Sequence, residues 1–507
     1  MTARDWIALL ISFLYPTVLL VVAELIRRRA GWPPEFTRKL VHVGAGMWVF
    51  GALALFDHWW AALIATTAFI GINWVSARRS LIPAMDAARS DGLGTVWFMV
   101  SFTVLLGWFW SAGRPYLAAA ALMALTWGDG AASIVGRAIG RHRYRIGGHT
   151  RSLEGSAALA LFSFLSITPT LALLAPAQYS LGHAAVTAAL VAIVAALLEP
   201  AAPSGQDNLS VPIGVGVTLW MLDTGRLEPG ALAAGLALSA LIGGGAYAAG
   251  SLTAGGVLGA LLIGTATFAF GGLAWGLLLI VFFASSSALG RVGGHAARKA
   301  EAARAFAKGG RRDLGQALAN GGVAGLLAVA AAAARPEWQA PLFAAFAGSL
   351  AAVTADTWGT ELGTLSRAAP RLVTTGRVVP AGTSGGVSGL GLLAGAAGAA
   401  FIGLAGWGLI QIWPLHGASL GLAPLLGAAL LGGLVGTLFD SLLGATVQQV
   451  YWCPQCGKET ERRVHSCGTP TRPLRGRPWA DNEVVNLGCA LAGAGLGLLV
   501  ALLWGAG

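Results

Sequence analysis

Apolar stretches long enough to cross a bilayer recur from one end of this chain to the other, and they constrain its fold more tightly than anything else in it. A helix needs roughly 17–25 residues to cross the hydrocarbon core. Sixteen segments are candidates: about 6–26, 41–56, 59–77, 93–111, 115–135, 155–175, 183–200, 211–223, 231–249, 254–270, 273–290, 317–334, 340–355, 387–411, 418–438 and 484–504. Several are short or broken by glycine, so re-entrant segments are an alternative at those places. Composition agrees with the pattern. Charged residues make up 11% of the chain, against about 25% in a soluble domain, and mean hydropathy is +0.69. Abundant Gly and Ala inside the spans let helix backbones approach closely in lipid. The expected fold class is all-α, a polytopic integral membrane protein of about 16 transmembrane helices.

The positive charges orient these spans. With the N-terminus outside, odd-numbered spans end in the cytoplasm, and cytoplasmic loops hold all but four of the 33 Lys and Arg residues; Arg4, Arg114, Arg226 and Arg335 are the four outside. That asymmetry follows the positive-inside rule. It predicts a multi-pass cell (inner) membrane protein with cytoplasmic active-site loops and both termini outside. The first span, Trp6 to Ile26, precedes Arg27-Arg28-Arg29, the order of a retained first helix rather than a removable signal. The net charge of +11 therefore reports membrane orientation, and no nucleic-acid partner is expected.

A polar stretch at Asp223–Gly230 divides the chain into two sets of eight spans. No residue-level repeat relates them, so two fused helical domains are expected, 1–223 and 231–507. Each has its own polar motifs on the inner face, where nucleotides are. A transporter would show its polar groups nearer mid-membrane.

In the first half, Gly128-Asp129 ends a span, and an acid at a membrane boundary is costly unless used or paired. Gly136-Arg137-x-x-Gly140-Arg141 follows, then Arg151-Ser152-x-Glu154-Gly155-Ser156, Glu199, and Asp207-Asn208-x-x-x-Pro212. Glycines let backbone approach phosphate, and arginines neutralise it. The Asp129 and Glu154 carboxylates are a candidate pair for Mg²⁺ bridging the phosphates. The arginines also read as ordinary topology determinants, and His42 as a core histidine or a headgroup contact.

These residues resemble the polyprenol kinase group, the phytol and dolichol kinases. The matching pattern is Arg38-Lys39-x-x-His42, the Gly128-Asp129 and Gly136-Arg137 motif, Ser152-x-Glu154-Gly155-Ser156 and Asp207-Asn208-Leu209-x-x-Pro212, in that order over about 1–223. The resemblance implies a membrane kinase that moves the γ-phosphate of CTP, with Mg²⁺, onto an isoprenoid alcohol held in the bilayer. Arg38, Lys39, His42, Arg137, Arg141, Arg151, Ser152, Asp207 and Asn208 would contact nucleotide or phosphate. Arg151 departs from the lysine expected there, exchanging a point charge for a planar fork.

The second half carries Gly310-Arg311-Arg312-Asp313-x-x-Gln316, Ala355-Asp356-Thr357-x-x-x-Glu361-x-Gly363, Gly382-Thr383-Ser384-Gly385-Gly386-Val387-Ser388, Asp440-Ser441-x-x-Gly444-Ala445-Thr446-x-Gln448 and Asp481-Asn482-x-x-Val485-Asn486. Asp356, Glu361, Asp440 and Asp481 are acids at helix ends, candidates for Mg²⁺ or base roles; helix capping or pairing with a neighbouring arginine is the alternative. The Gly/Ser/Thr loop entering a helix is a sensible phosphate cradle. Together the motifs resemble the membrane family that contains the plant phytyl-phosphate kinase, over about 231–505. Ser384 stands where Asn is usual, and Ala288-Leu289 where Thr-Lys usually follows the serines. The resemblance implies phosphate contacts from Arg311, Arg312, Gln316, Gly382, Thr383, Gly385, Gly386 and Ser388.

Four cysteines exclude a disulfide-built scaffold. Three of them, Cys453, Cys456 and Cys467, share one polar loop with His465 and offer the donors of a structural Zn²⁺ site; unmetallated loop cysteines are the alternative. The two resemblances together imply consecutive steps: the first half makes an isoprenyl monophosphate and the second the diphosphate, as in salvage of phytol from chlorophyll. The rival readings are a CTP-dependent lipid cytidylyltransferase, distinguished by which phosphate of the nucleotide is transferred, and a lipid transporter or flippase without nucleotide turnover.

Overall fold

A computed structural model describes residues 1–79, 93–291 and 311–504; Gly310 of the Gly-Arg-Arg-Asp motif lies outside them. Long apolar segments rich in Ala and Leu have little choice but helix in lipid, where each backbone group must be satisfied within its own segment. Each of the sixteen expected spans accordingly lies on a described helix. Thirteen are long and apolar enough to cross a membrane, so the chain is an all-α polytopic membrane protein. The expected count of sixteen is approximate. Pro34–Leu55 carries Glu35, Arg38 and Lys39 within it, Asp207–Asp223 has only 17 residues, and the apolar helix Leu273–Leu289 is also short.

The chain divides into two compact units, Met1–Pro229 and Gly230–Gly507. In the first, the helices are α1 (Ala3–Ala30), α2 (Pro34–Leu55), α3 (Trp59–Arg79), α4 (Gly94–Ser111), α5 (Pro115–Ala138), α6 (Leu153–Leu174), α7 (Leu181–Ala201) and α8 (Asp207–Asp223). Among the described residues short connections and one hairpin, β1 (Arg143–Ile146) and β2 (His149–Ser152), join them. Helix α5 is the axis. Proline at its first turn suits a helix start, and Tyr116 to Leu125 are buried without a break. Its run of alanines lets α2, α4, α6 and α8 close around it. At the opposite end from Pro115, α5 carries Asp129.

The second unit repeats that logic with different residues. It comprises α9 (Pro229–Ala248), α10 (Ala254–Thr265, continued by a π-helical turn to Gly271), α11 (Leu273–Arg291), α12 (Leu314–Ala333), α13 (Gln339–Gly363), α14 (Gly389–Ile412), α15 (Leu422–Thr446) and α16 (Asn482–Leu503). Helix α13 is the axis, buried continuously from Phe343 to Ala355 and packed on α14, α15 and α16. Where α13 crosses α16 the backbones nearly touch: a Cβ on Gly348 would lie 2.4 Å from the Gly493 carbonyl oxygen. Just past that buried run, α13 carries Asp356. Two short strands, β3 (Arg371–Leu372) and β4 (Gly386–Val387), frame the loop before α14. A three-stranded sheet in the order β6 (Lys458–Thr460), β5 (Val450–Cys453), β7 (Arg472–Arg475) fills the connection from α15 to α16.

Candidate active sites

Helix α2 begins at Pro34 rather than near residue 41, so Arg38, Lys39 and His42 sit on its first turns instead of in a loop. The i, i+3 and i, i+4 spacings put Lys39 and Arg38 on the same side as His42, facing α5. There Lys39 Nζ donates to Asp129 Oδ2 at 2.6 Å, and His42 Nε2 lies 3.5 Å from the same oxygen. The Lys39 and Asp129 side chains are 9% and 17% exposed, too buried for a solvated surface pair. Arg38 Nε is buried with no hydrogen-bond partner, an unsatisfied donor of the kind that an anion completes.

These groups close one end of a cavity of about 960 Å³, at the upper end of the range for small-molecule sites. Arg137, Arg151, Ser152, Glu199, Asp207 and Asn208 also line it. Arg151 pairs with Glu199 and reaches Asp207 at 3.9 Å. Asp129, Glu199 and Asp207 lie within electrostatic reach of one another. Arg137 pairs with Glu35, and Ser152 caps α6 by accepting from Gly155 N at 3.1 Å. Much of the remaining lining is apolar, with Phe13, Leu19 and Leu20 of α1, Phe69 and Ile72 of α3, and Phe98 and Phe102 of α4, interrupted by Thr17, Glu24, Thr66 and Asn73.

Two expected residues are not brought to the cavity. Glu154 turns to His142, accepting from its backbone N at 3.1 Å and contacting Nδ1 at 2.7 Å, and Arg141 is exposed in the connection to β1; neither lines the cavity. Glu199, and not Glu154, lines the cavity with Asp129 and lies within electrostatic reach of it. An acid at the end of span seven, followed closely by Asp207, was the signal for it.

In the second unit Asp356 Oδ1 accepts from Thr437 Oγ1 at 3.5 Å. Asp440 faces it from α15, with Oδ2 buried and without a hydrogen-bond partner. A third acid, Glu461, follows β6 and lies within electrostatic reach of both. Glu461 Oε1 accepts from Gln448 Nε2 at 2.8 Å, and Gln448 Oε1 accepts from the Ser384 hydroxyl. The Gly382–Ser388 loop lies directly on the end of α15. Gly385 has φ +84°, and a Cβ there would meet Ala445 N and Ser441 O at 2.8 Å, so only glycine fits. Arg475 holds the junction, donating from Nη1 to Gly444 O at 2.9 Å and from Nη2 to Ser384 O at 3.4 Å.

Thr383, whose hydroxyl bonds Pro380 O at 2.8 Å, and Gly382 and Gly386 belong to the same loop. Ser388 caps α14 and Asp481 caps α16 through Val484 N at 3.1 Å. Arg311 stacks over Tyr247, Arg312 over Phe282 and Phe283, and Glu361 is within electrostatic reach of Arg312. Arg312 and Gln316 line a separate apolar cavity of about 80 Å³ whose lining contains no acid. Glu461 and Arg475 were missed in the sequence because acids and bases are frequent in that loop, and nothing local marks these two.

Beyond Glu461, Cys453, Cys456, His465 and Cys467 bring one donor atom each to within 4.8 Å of one another. Cys467 Sγ donates to Thr469 Oγ1 at 3.3 Å, and His465 Nδ1 lies 3.2 Å from the same sulfur.

Two units of long apolar helices, each packed around a buried axial helix, define the class: an all-α multi-pass membrane protein. The chain belongs to the family described as integral membrane protein DUF92, whose pattern matches residues 237–494. It is also 37% identical over 218 residues to the phytol kinase of Synechocystis, covering 42% of this chain and 91% of that protein. It is 34% identical over 262 residues to Protein PGR of Arabidopsis thaliana, 49% of this chain and 88% of that one. An uncharacterized membrane protein of Methanocaldococcus jannaschii is 43% identical over 107 residues, 20% of this chain and 40% of that protein. No solved structure matches.

Proposed function

We propose that this protein is a membrane kinase of isoprenoid alcohols, phosphorylating phytol or a similar prenol in its first unit and the resulting monophosphate in its second. One observation carries the reading. The large cavity of the first unit is lined by a cationic and acidic cluster, Arg38, Lys39, His42 and Asp129, and by many apolar side chains of α1, α3 and α4. That is the shape of a site for a long apolar molecule with one small polar head. The likeness to the Synechocystis phytol kinase supports the same conclusion.

The prenyl tail lies along Leu19, Phe69 and Phe102, and its hydroxyl meets Asp129. Arg38, whose Nε is unpartnered, and Arg151 neutralise the transferring phosphate of a nucleoside triphosphate, for which we propose CTP. The alcohol oxygen bonds to the γ-phosphorus, the bond to the nucleoside diphosphate breaks, and the hydroxyl proton passes to Asp129. Such transfers are loose, so positioning and charge stabilisation carry most of the catalysis. Asp129, Glu199 and Asp207 are an oxygen donor set suited to Mg²⁺, which when bound would neutralise the phosphates. In the second unit a phosphate oxygen is the nucleophile, the Gly382–Ser388 loop cradles phosphate, and Asp356, Asp440 and Glu461 are the corresponding donor set. The clusters face the cytoplasm of the cell that holds the protein in its inner membrane.

Membranes containing the protein, given phytol, Mg²⁺ and CTP labelled at the α- or γ-phosphate, test this. Label from γ-CTP in phytyl phosphate and diphosphate is the expected result. Label from α-CTP in the lipid would make the protein a cytidylyltransferase, and no lipid label with any prenol or nucleotide would refute a kinase.

A further inference from the structure

The four-residue Cys/His cluster is formed by two matched turns. Cys453 ends β5, and Gly457 just after Cys456 donates its N–H to Cys453 O at 3.0 Å with φ +60°. Opposite it, Gly468 just after Cys467 donates to His465 O at 2.9 Å with φ +83°. A left-handed glycine after the second ligand turns the chain back sharply, and this explains how His465 and Cys467 can converge although only Ser466 separates them. Cys453 Sγ and Cys467 Sγ are 3.7 Å apart, and His465 Nδ1 is 3.2 Å from Cys467 Sγ. With Zn–S of about 2.3 Å, a tetrahedral site has sulfur–sulfur edges of about 3.8 Å. A disulfide needs about 2.05 Å. Cys453 and His465 are buried while Cys456 and Cys467 are exposed, so the cluster is half-sunk in the sheet.

We propose that Cys453, Cys456, His465 and Cys467 bind one structural Zn²⁺, and that this metal holds the β5–β7 module in the register that presents Glu461 and Arg475 to the Ser384 loop and to Asp440. The module is too small to bury a core of its own, a situation in which metal binding supplies folding energy. Its three strands are short, and β5 starts soon after α15, the helix that carries Asp440, ends at Thr446. Glu461 bonds Gln448, Gln448 bonds Ser384, and Arg475 bonds the carbonyls of Gly444, Ala445 and Ser384. Both residues hang from strands that the metal ties together. The role of these contacts in a second phosphorylation rests on the function proposed above; the metal site itself does not.

The test uses the full-length protein, purified in detergent under reducing conditions. Elemental analysis should give about one zinc per chain, and Co²⁺ exchanged into the site should show thiolate charge-transfer absorption. Cys456→Ser should lose both, and so should Cys467→Ser should the first variant fold poorly. Hydrogen exchange should then rise about tenfold or more in peptides covering Gly382–Ser388 and Ala445–Gln449 when a strong chelator removes the zinc, while peptides of α5 stay unchanged. Absence of zinc and of cobalt bands, or a Cys453–Cys467 disulfide found by mass spectrometry, would overturn the site. Zinc bound with no change in exchange on its removal would overturn the positioning role. A protein that binds zinc and shows the exchange response, yet makes no diphosphate, would instead refute the second activity and leave this inference standing.

Discussion

Lys39 and Asp129 meet at 2.6 Å with both side chains largely out of water. Removing one partner from a buried pair leaves an uncompensated charge, which costs about 3–5 kcal/mol, whereas removing both is far cheaper. Lys39→Met should therefore lower the thermal stability of the purified protein sharply, and Lys39→Met with Asp129→Asn should recover most of it. Neither variant should phosphorylate a prenol. Recovery of activity together with stability would show that the pair only holds the bundle. Glu154 and Glu199 separate the two possible partners of Asp129. With Glu199 lining the cavity and Glu154 turned to His142, Glu199→Gln should lower kcat/KM about 100-fold or more, and Glu154→Gln less than about tenfold. The opposite ranking would return the role to Glu154. The motif residues were all legible as polar groups in apolar surroundings, but their pairings were not. Spacing along the chain gives Asp129 and Glu154; the third dimension gives Asp129, Lys39 and His42, with Glu199 held by Arg151.

The helices were legible because long apolar runs leave few alternatives: among the described residues each of the sixteen segments lies on a helix, and thirteen helices are long and apolar enough to cross a membrane. Their ends were not. Hydropathy stops where charges begin, yet α2 continues back to Pro34, α13 on to Gly363 and α15 on to Thr446. A helix inside a bundle carries charged side chains as readily as apolar ones wherever a cavity or a partner receives them. That extension is what turns Lys39, Asp356 and Asp440 from loop residues into residues fixed on rigid axes. The same reasoning makes the α13–α16 crossing fragile. Gly348→Ala would drive a Cβ into the Gly493 carbonyl, and overpacking of this kind costs about 1–3 kcal/mol. The variant should show a lowered melting temperature and reduced second phosphorylation, with the first phosphorylation kept. Unchanged stability would mean that the two helices do not pack this closely.

Each unit has its own buried axial helix, its own acid near that helix's end and its own polar connections. A chain organised in this way should tolerate separation. Residues 1–229 expressed without the rest should insert in membranes and retain phosphorylation of the prenol, measured as monophosphate formed from γ-labelled CTP. Loss of that activity in a well-expressed, membrane-inserted fragment would show that the units depend on one another. For the division of labour between the units, the most direct measurement is the product distribution of Asp129→Asn and Asp440→Asn in membranes supplied with phytol, Mg²⁺ and γ-labelled CTP. The prediction is that Asp440→Asn accumulates phytyl monophosphate and makes no diphosphate, while Asp129→Asn makes neither from phytol but still converts added phytyl monophosphate. Diphosphate formed by Asp440→Asn, or monophosphate formed by Asp129→Asn, would contradict it.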